Sequence, residues 1–302
     1  MLALAPHPMK LHGIIPPIAT PFDHNGDLYK IKVQHNVEKW NRTGLAGYVV
    51  CGSTGESVHL TTEEKLKLWD WVAEYAAPDK ILLAGTGMES VRETVALTNA
   101  AADRGYKAAM VRTPHYYKNL INRTDAQVLY YRAVADQAKI PIFIYNWPQV
   151  TGVDISVDAV VALSHHPNMF AIKESSGNLE KCIQMIKEVK PGFQVLTGSA
   201  PILAPSLAVG CAGAVLAFAN AAPYATVSIW EAHRTREFGA AMDWQNRIIR
   251  AAQLVTVKYG VPGLKYAMDL NGYYGGPPRL PLTVITPEAK KEIEQSFDGL
   301  KG

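Results

Sequence analysis

Lys173 directly follows the apolar run Met169-Phe170-Ala171-Ile172, a placement that carries an amine out of a buried strand. Burial disfavours the ammonium form and lowers a lysine's pKa. A neutral amine attacks a carbonyl carbon and forms a Schiff base, an electron sink through which the adjacent carbon–carbon bond forms or breaks. The competing reading is a solvated lysine just past the strand, so the neighbours decide. Tyr145 ends another β-rich run, and its hydroxyl could relay protons beside Lys173, with the hydroxyls of Ser53 and Thr54 orienting it. A packed aromatic with a wet tip is the alternative for Tyr145.

Such residues need a scaffold that brings several strand ends together. Eight short β-rich runs recur along the chain: 13–20, 47–52, 80–85, 108–113, 140–146, 169–173, 194–198 and 214–220. Their starts lie 20 to 34 residues apart, the length of one strand, one helix and two short loops. Thr61-Thr62-Glu63-Glu64 is a helix-start signature, Ser90 with Glu93 is a second, and Gly105 stops the helical stripe of Val91, Val95, Leu97 and Ala101. Strand and helix alternating eight times without a hairpin predict an α/β fold, a (β/α)8 TIM barrel, with a doubly wound open sheet as runner-up. The expected layout is a flexible lead-in over 1–12, the barrel with its active site over 13–223, and a C-terminal helical extension over 224–302. In such a barrel the active site lies at the C-terminal strand ends, where this chain places Gly52-Ser53-Thr54-Gly55-Glu56, Thr113-Pro114, Tyr145-Asn146 and Lys173-Glu174-Ser175.

Taken together, Gly52-Ser53-Thr54-Gly55-Glu56-Ser57, Thr113-Pro114-His115-Tyr116-Tyr117, Tyr145-Asn146-Trp147-Pro148 with Thr151-Gly152, and Ile172-Lys173-Glu174-Ser175 resemble the dihydrodipicolinate synthase and N-acetylneuraminate lyase family. That family consists of Schiff-base, pyruvate-dependent aldolases, and the resemblance spans roughly 13–297. It implies Lys173 as the Schiff-base lysine, Tyr145 as the proton-relay tyrosine, and Ser53 and Thr54 as the hydroxyl pair whose amides also hold the pyruvate carboxylate. It implies that Tyr116 reaches into a neighbouring subunit's site, with Tyr117 the alternative if the alignment slips by one. A homotetramer built from dimers follows from the same resemblance. Gly198 and Val215 match pocket-lining backbone positions. No cofactor or metal is implied beyond the covalent bond through Lys173.

The choice of aldehyde partner rests on departures from the family pattern. Dihydrodipicolinate synthases carry an arginine before Thr-Gly that binds the carboxylate of aspartate semialdehyde, whereas this chain has Val150, which forms no ion pair. Two acidic residues of the family are replaced by Ser199 and Ala200. The tail segments Tyr259-Gly260-Val261-Pro262-Gly263-Leu264-Lys265 and Gly272-Tyr273-Tyr274-Gly275-Gly276-Pro277 look like 4-hydroxy-2-oxoglutarate aldolase. In that aldolase the serine matching Ser175 contacts the distal carboxylate. The leading expectation is therefore a lyase cleaving 4-hydroxy-2-oxoglutarate, or a similar 4-hydroxy-2-keto acid, to pyruvate and an aldehyde. The rivals are condensation of pyruvate with aspartate semialdehyde, as in lysine biosynthesis, dehydration of a 2-keto-3-deoxy sugar acid, and a keto-acid-binding protein without turnover.

Composition excludes other classes. The 302 residues are 48% hydrophobic, enough for a large core, and carry a formal charge of only +3 with no dense basic run, against a nucleic-acid partner. Three cysteines without a C-x-x-C pair argue for a reducing cytoplasm, and the first twelve residues lack the layout of a secretory signal. The charge-free stretch 191–230 is broken by Pro205, Gly210, Gly213 and Asn220, so a buried strand explains it better than a membrane span. No H-E-x-x-H motif or carboxylate–histidine cluster suggests metal chemistry, and Gly85-Thr86-Gly87 lacks the third glycine of a dinucleotide fingerprint.

Overall fold

The computed structural model describes residues 9–300. Eight parallel strands form one sheet: β1 (Ile14–Ile15), β2 (Gly47–Val50), β3 (Ile81–Gly85), β4 (Ala108–Arg112), β5 (Ile142–Asn146), β6 (Met169–Glu174), β7 (Gln194–Thr197) and β8 (Ala214–Val215). Each strand pairs with its sequence neighbour from β2 to β8, and β8 pairs with β1. Pro17 bridges Val49, with Ile18 N donating to Val49 O at 2.9 Å, and so closes the circle between β1 and β2. The expected (β/α)8 barrel is present.

Between strands run α1 (Lys30–Asn41), α2 (Thr62–Tyr75), α3 (Val91–Ala102), α4 (Lys118–Ile121), α5 (Thr124–Ala135), α6 (Pro148–Thr151), α7 (Val157–Ser164), α8 (Leu179–Glu188) and α9 (Leu203–Ala208). After β8 come α10 (Pro223–Arg234), α11 (Phe238–Gln253), a π turn (Leu254–Lys258), α12 (Gly260–Leu270) and α13 (Pro287–Ser296). The capping box expected at Thr61 forms with both reciprocal bonds to Glu64, and the Ser90 hydroxyl accepts from Glu93 N. Gly105 follows α3 at φ +82°, a left-handed conformation that glycine adopts without steric cost.

The first and last strands are much shorter than the runs that predict them. Pro16 and Pro17 have no amide hydrogen to donate, so the first ladder ends after Ile15. The last turns into a 3-10 turn at Ala217–Asn220. Asn220 there donates to Pro17 O and accepts from Ala19 N, tying the barrel's two ends together. No described helix is long and apolar enough to cross a membrane. Of the expected lead-in, residues 1–8 lie outside the described residues, and Leu11 is buried with its backbone bonded both ways to Gln194.

Strands covered on both faces read as continuous apolar runs, and here they do. Phe143, Tyr145 and Ala171 point into the barrel with Val49, Leu196 and Val215. Ile142, Ile144, Met169 and Ile172 point outward against the helices. This alternation sends Tyr145 and Lys173 inward, and Asn146 and Glu174 outward.

Candidate active site

Register places Tyr145 opposite Lys173 on adjacent strands. The Lys173 ammonium lies 3.9 Å from the centroid of the Tyr145 ring, and the residue is only 4% exposed. It makes no ion pair among the described residues, so no opposite charge offsets the loss of solvent. Burial brings its pKa down from 10.5 to about 7, which leaves much of the amine neutral and nucleophilic near neutrality. A solvated lysine past the strand end is not what forms.

Burial pushes the Tyr145 phenol well above its ordinary range, and the neighbouring Ser53 hydroxyl partly offsets that. A protonated phenol beside a second hydroxyl can accept a proton only as it passes its own along, the behaviour of a relay. Ser53 and Thr54 sit in a 3-10 turn, Ser53–Gly55, immediately after β2. The turn is held by Thr20, whose hydroxyl donates to Gly55 O at 2.7 Å, and by Glu56, which adopts φ +55° and is wholly buried. The leading amides of a helical turn have no intrahelical acceptor, so this turn offers donors suited to a carboxylate.

Lys173, Tyr145, Thr54, Ser175 and Gly198 line one cavity of about 110 Å³. Ser175 Oγ is buried there without a hydrogen-bond partner, a polar atom free for a ligand. A Cβ at Gly198 would fall 1.8 Å from Ser175 Oγ and 2.9 Å from Lys173 Cε, so only glycine leaves room for both. Ser53 and Tyr116 line a second cavity, about 280 Å³, on the other side of Tyr145. Tyr145 is the residue common to both.

Two expected residues, Tyr116 and Val215, sit apart from Lys173, as does the alternative Tyr117. Tyr116 is 77% exposed, with Tyr117 packed edge-on against it, and neither lines the lysine cavity of its own chain. Val215 is fully buried in the barrel interior beside Tyr145 and Leu196, and lines neither cavity. Arg112 lines the second cavity, where it bonds Glu89 at 2.9 Å and His115 at 2.7 Å.

Other lining residues escaped sequence reasoning. Trp147 stacks on Tyr145, with ring centroids 6.2 Å apart, and lines the lysine cavity. Val255, Thr256 and Val257 of the π turn, with Val261 and Leu264 of α12, roof it. The breaks near Gly260 and Gly263 are visible in the sequence, but nothing local says that they fold back over the barrel mouth. Lys65 is buried against Met88 in the second cavity, and its place in a helix pattern gives no sign of this.

The comparisons with known proteins place the chain in a family. The chain is 36% identical over 284 residues to the 4-hydroxy-tetrahydrodipicolinate synthase of Methanothrix thermoacetophila, covering 93% of this chain and 94% of that protein. It is 33% identical to a probable mitochondrial 4-hydroxy-2-oxoglutarate aldolase of Emericella nidulans, covering 94% and 93%. YagE, a prophage protein from E. coli K12 solved in complex with pyruvate, superposes with a TM-score of 0.89 at 27% identity, over 96% of this chain and 98% of that one. The matched family works as carbon–carbon lyases through a covalent lysine Schiff base with pyruvate, without a metal or other cofactor. With its profile matching residues 10–299, the chain belongs to the dihydrodipicolinate synthetase family.

Proposed function

We propose that this chain is a class I aldolase in which Lys173 forms a Schiff base with pyruvate and joins it to, or releases it from, an aldehyde. One observation carries the reading: an amine buried at the end of β6, without an ion pair among the described residues, against the ring of Tyr145. Lys173 Nζ attacks the C2 carbonyl carbon, and water leaves to give the iminium. Loss of a methyl proton gives the enamine, whose C3 attacks the aldehyde carbon while Tyr145 supplies the alkoxide's proton through the relay. Water then hydrolyses the product iminium and frees the lysine. Cleavage runs the same steps in reverse.

For the partner, the relatives support condensation with aspartate semialdehyde better than the cleavage expected from sequence. Relatives at 28 to 36% identity repeatedly bear the name 4-hydroxy-tetrahydrodipicolinate synthase. The tail glycines and prolines that pointed toward 4-hydroxy-2-oxoglutarate shape turns and do not themselves select a substrate. The cleavage reading keeps one observation in its favour: Val150, 60% exposed before Thr151-Gly152, has no group with which to pair a carboxylate.

The exposure of Tyr116 and Tyr117 supports an assembly in which another copy covers them, in keeping with a homotetramer. Three buried free cysteines support a cytoplasmic setting.

The test is intact-protein mass after pyruvate and borohydride, followed by two assays. An adduct in wild type and none in Lys173→Ala supports the Schiff base, and its absence from folded wild type sinks it. Turnover of pyruvate with aspartate semialdehyde supports the synthase, whereas glyoxylate released from 4-hydroxy-2-oxoglutarate supports cleavage.

A further inference from the structure

We propose that Asn146, Glu174 and Lys181 form a positioning cluster on the outer face of the barrel wall, which locks Tyr145 against Lys173 and balances the carboxylate adjoining Lys173 in the chain. The proposal rests on the reading of Lys173 as the Schiff-base residue and goes beyond it.

Asn146 pairs with Glu174 one step along the same ladder that pairs Tyr145 with Lys173. Asn146 Nδ2 donates to Glu174 Oε2 at 2.9 Å and to Asp154 Oδ1 at 2.8 Å, while its Oδ1 accepts from Ile155 N at 3.1 Å. Glu174 Oε1 accepts from Ser176 N at 2.6 Å. Ser175 N donates to Asn146 O at 3.0 Å, and Gly198 N donates to Glu174 O at 2.7 Å. A slip of either strand end would therefore break several buried bonds at once, and that fixes the spacing of the two inward side chains.

The charges are arranged as deliberately as the bonds. The Glu174 side chain is wholly buried, yet it is one residue from an amine that must lose its proton. Its carboxylate points away from Lys173 and meets Lys181 Nζ at 3.6 Å, and the same ammonium also pairs with Asp154. Cys182 on α8 and Cys211 before β8 are the other titratable groups near Glu174, whose charge acts to raise both thiol pKa values. On the inner face Lys173 meets the Tyr145 ring and the hydroxyl residues Thr54, Ser175 and Ser199, with no charged side chain lining its cavity, while Arg112 acts on Tyr145 from the far side.

Removing the charge of Lys181 leaves Glu174 and Asp154 to favour the ammonium form of Lys173. Removing the charge of Glu174 does the opposite. A mere packing defect has no reason to act with opposite sign in the two variants. The experiment follows borohydride-trapped pyruvate adduct against pH in the full chain. Lys181→Met should move the half-point upward, on the order of one pH unit, and Glu174→Gln should move it downward. Lys181→Arg should restore the wild-type profile.

Lys181→Arg keeps the charge at this 10%-exposed side chain, so Lys181→Met against Lys181→Arg decides the matter even if Glu174→Gln fails to fold. Half-points that stay put, or that move in the same direction, overturn the proposal while leaving the Schiff base intact. Wild type without any adduct overturns both.

Discussion

No carboxylate among the described residues pairs with Lys173, and burial takes its pKa from 10.5 in the unfolded chain to about 7. Between those two values the unfolded chain binds more protons than the folded one. The contribution of this residue to stability therefore rises with pH across that window and is at its lowest below pH 7. Lys173→Met should raise stability at pH 6 by roughly 5 kcal/mol at most, with the gain fading toward pH 10 in urea titrations, while removing all adduct formation. A variant no more stable than wild type at pH 6 would mean the lysine is solvated. Gly198→Ala makes a companion case: its methyl would collide with Ser175 Oγ and crowd Lys173 Cε. Turnover should fall roughly 100-fold or more while circular dichroism stays native. At this scale the sequence was most informative where a polar residue ended an apolar run, as Lys173 and Tyr145 do. It was silent where a contact comes from a distant segment, as with Val255 over the cavity.

The loop after β2 is positioned from the other end of the chain. Glu56 and Lys265, both fully buried at their side chains, pair at 2.6 Å, and Lys265 Nζ also donates to Pro277 O. Arg279 extends the link through its amide to Glu56 Oε2 and through its guanidinium to both oxygens of Glu64, at the start of α2. Breaking a buried pair from one side leaves an uncompensated charge, which costs about 3–5 kcal/mol. Lys265→Met should lose stability of that order, and the double variant Lys265→Met/Glu56→Gln should recover part of it in denaturant titrations. If the double variant is no better than the single one, the loss is packing and not charge. Helix starts at Thr61 and Ser90 were legible because a cap is local chemistry. Strand lengths at β1 and β8 were not, because proline and the 3-10 turn end the ladders while leaving the apolar pattern intact.

On the scale of the whole chain, the helices after β8 share a core with the barrel. One cluster of buried side chains joins Val33, Val37 and Trp40 of α1 to Ile229, Ile248, Leu264 and Phe297. Trp40 stacks on Tyr273 at 5.4 Å. Polar links run the same way: Asn36 exchanges bonds with Tyr274, and Gln245 holds Ala200 O, Pro201 O and Ala204 N. The π turn between α11 and α12 meanwhile roofs the cavity of Lys173. A barrel cut after residue 223 would expose the outer face of α1 and leave its site uncovered. The full chain should therefore melt as one unit, with far-ultraviolet circular dichroism and tryptophan fluorescence giving coincident transitions at fixed protein concentration. The fragment 1–223 should fail to give a cooperative transition. Two separated transitions, or a folded fragment that still traps pyruvate, would show instead that the C-terminal helices are an independent domain and that the roof is dispensable for the Schiff base.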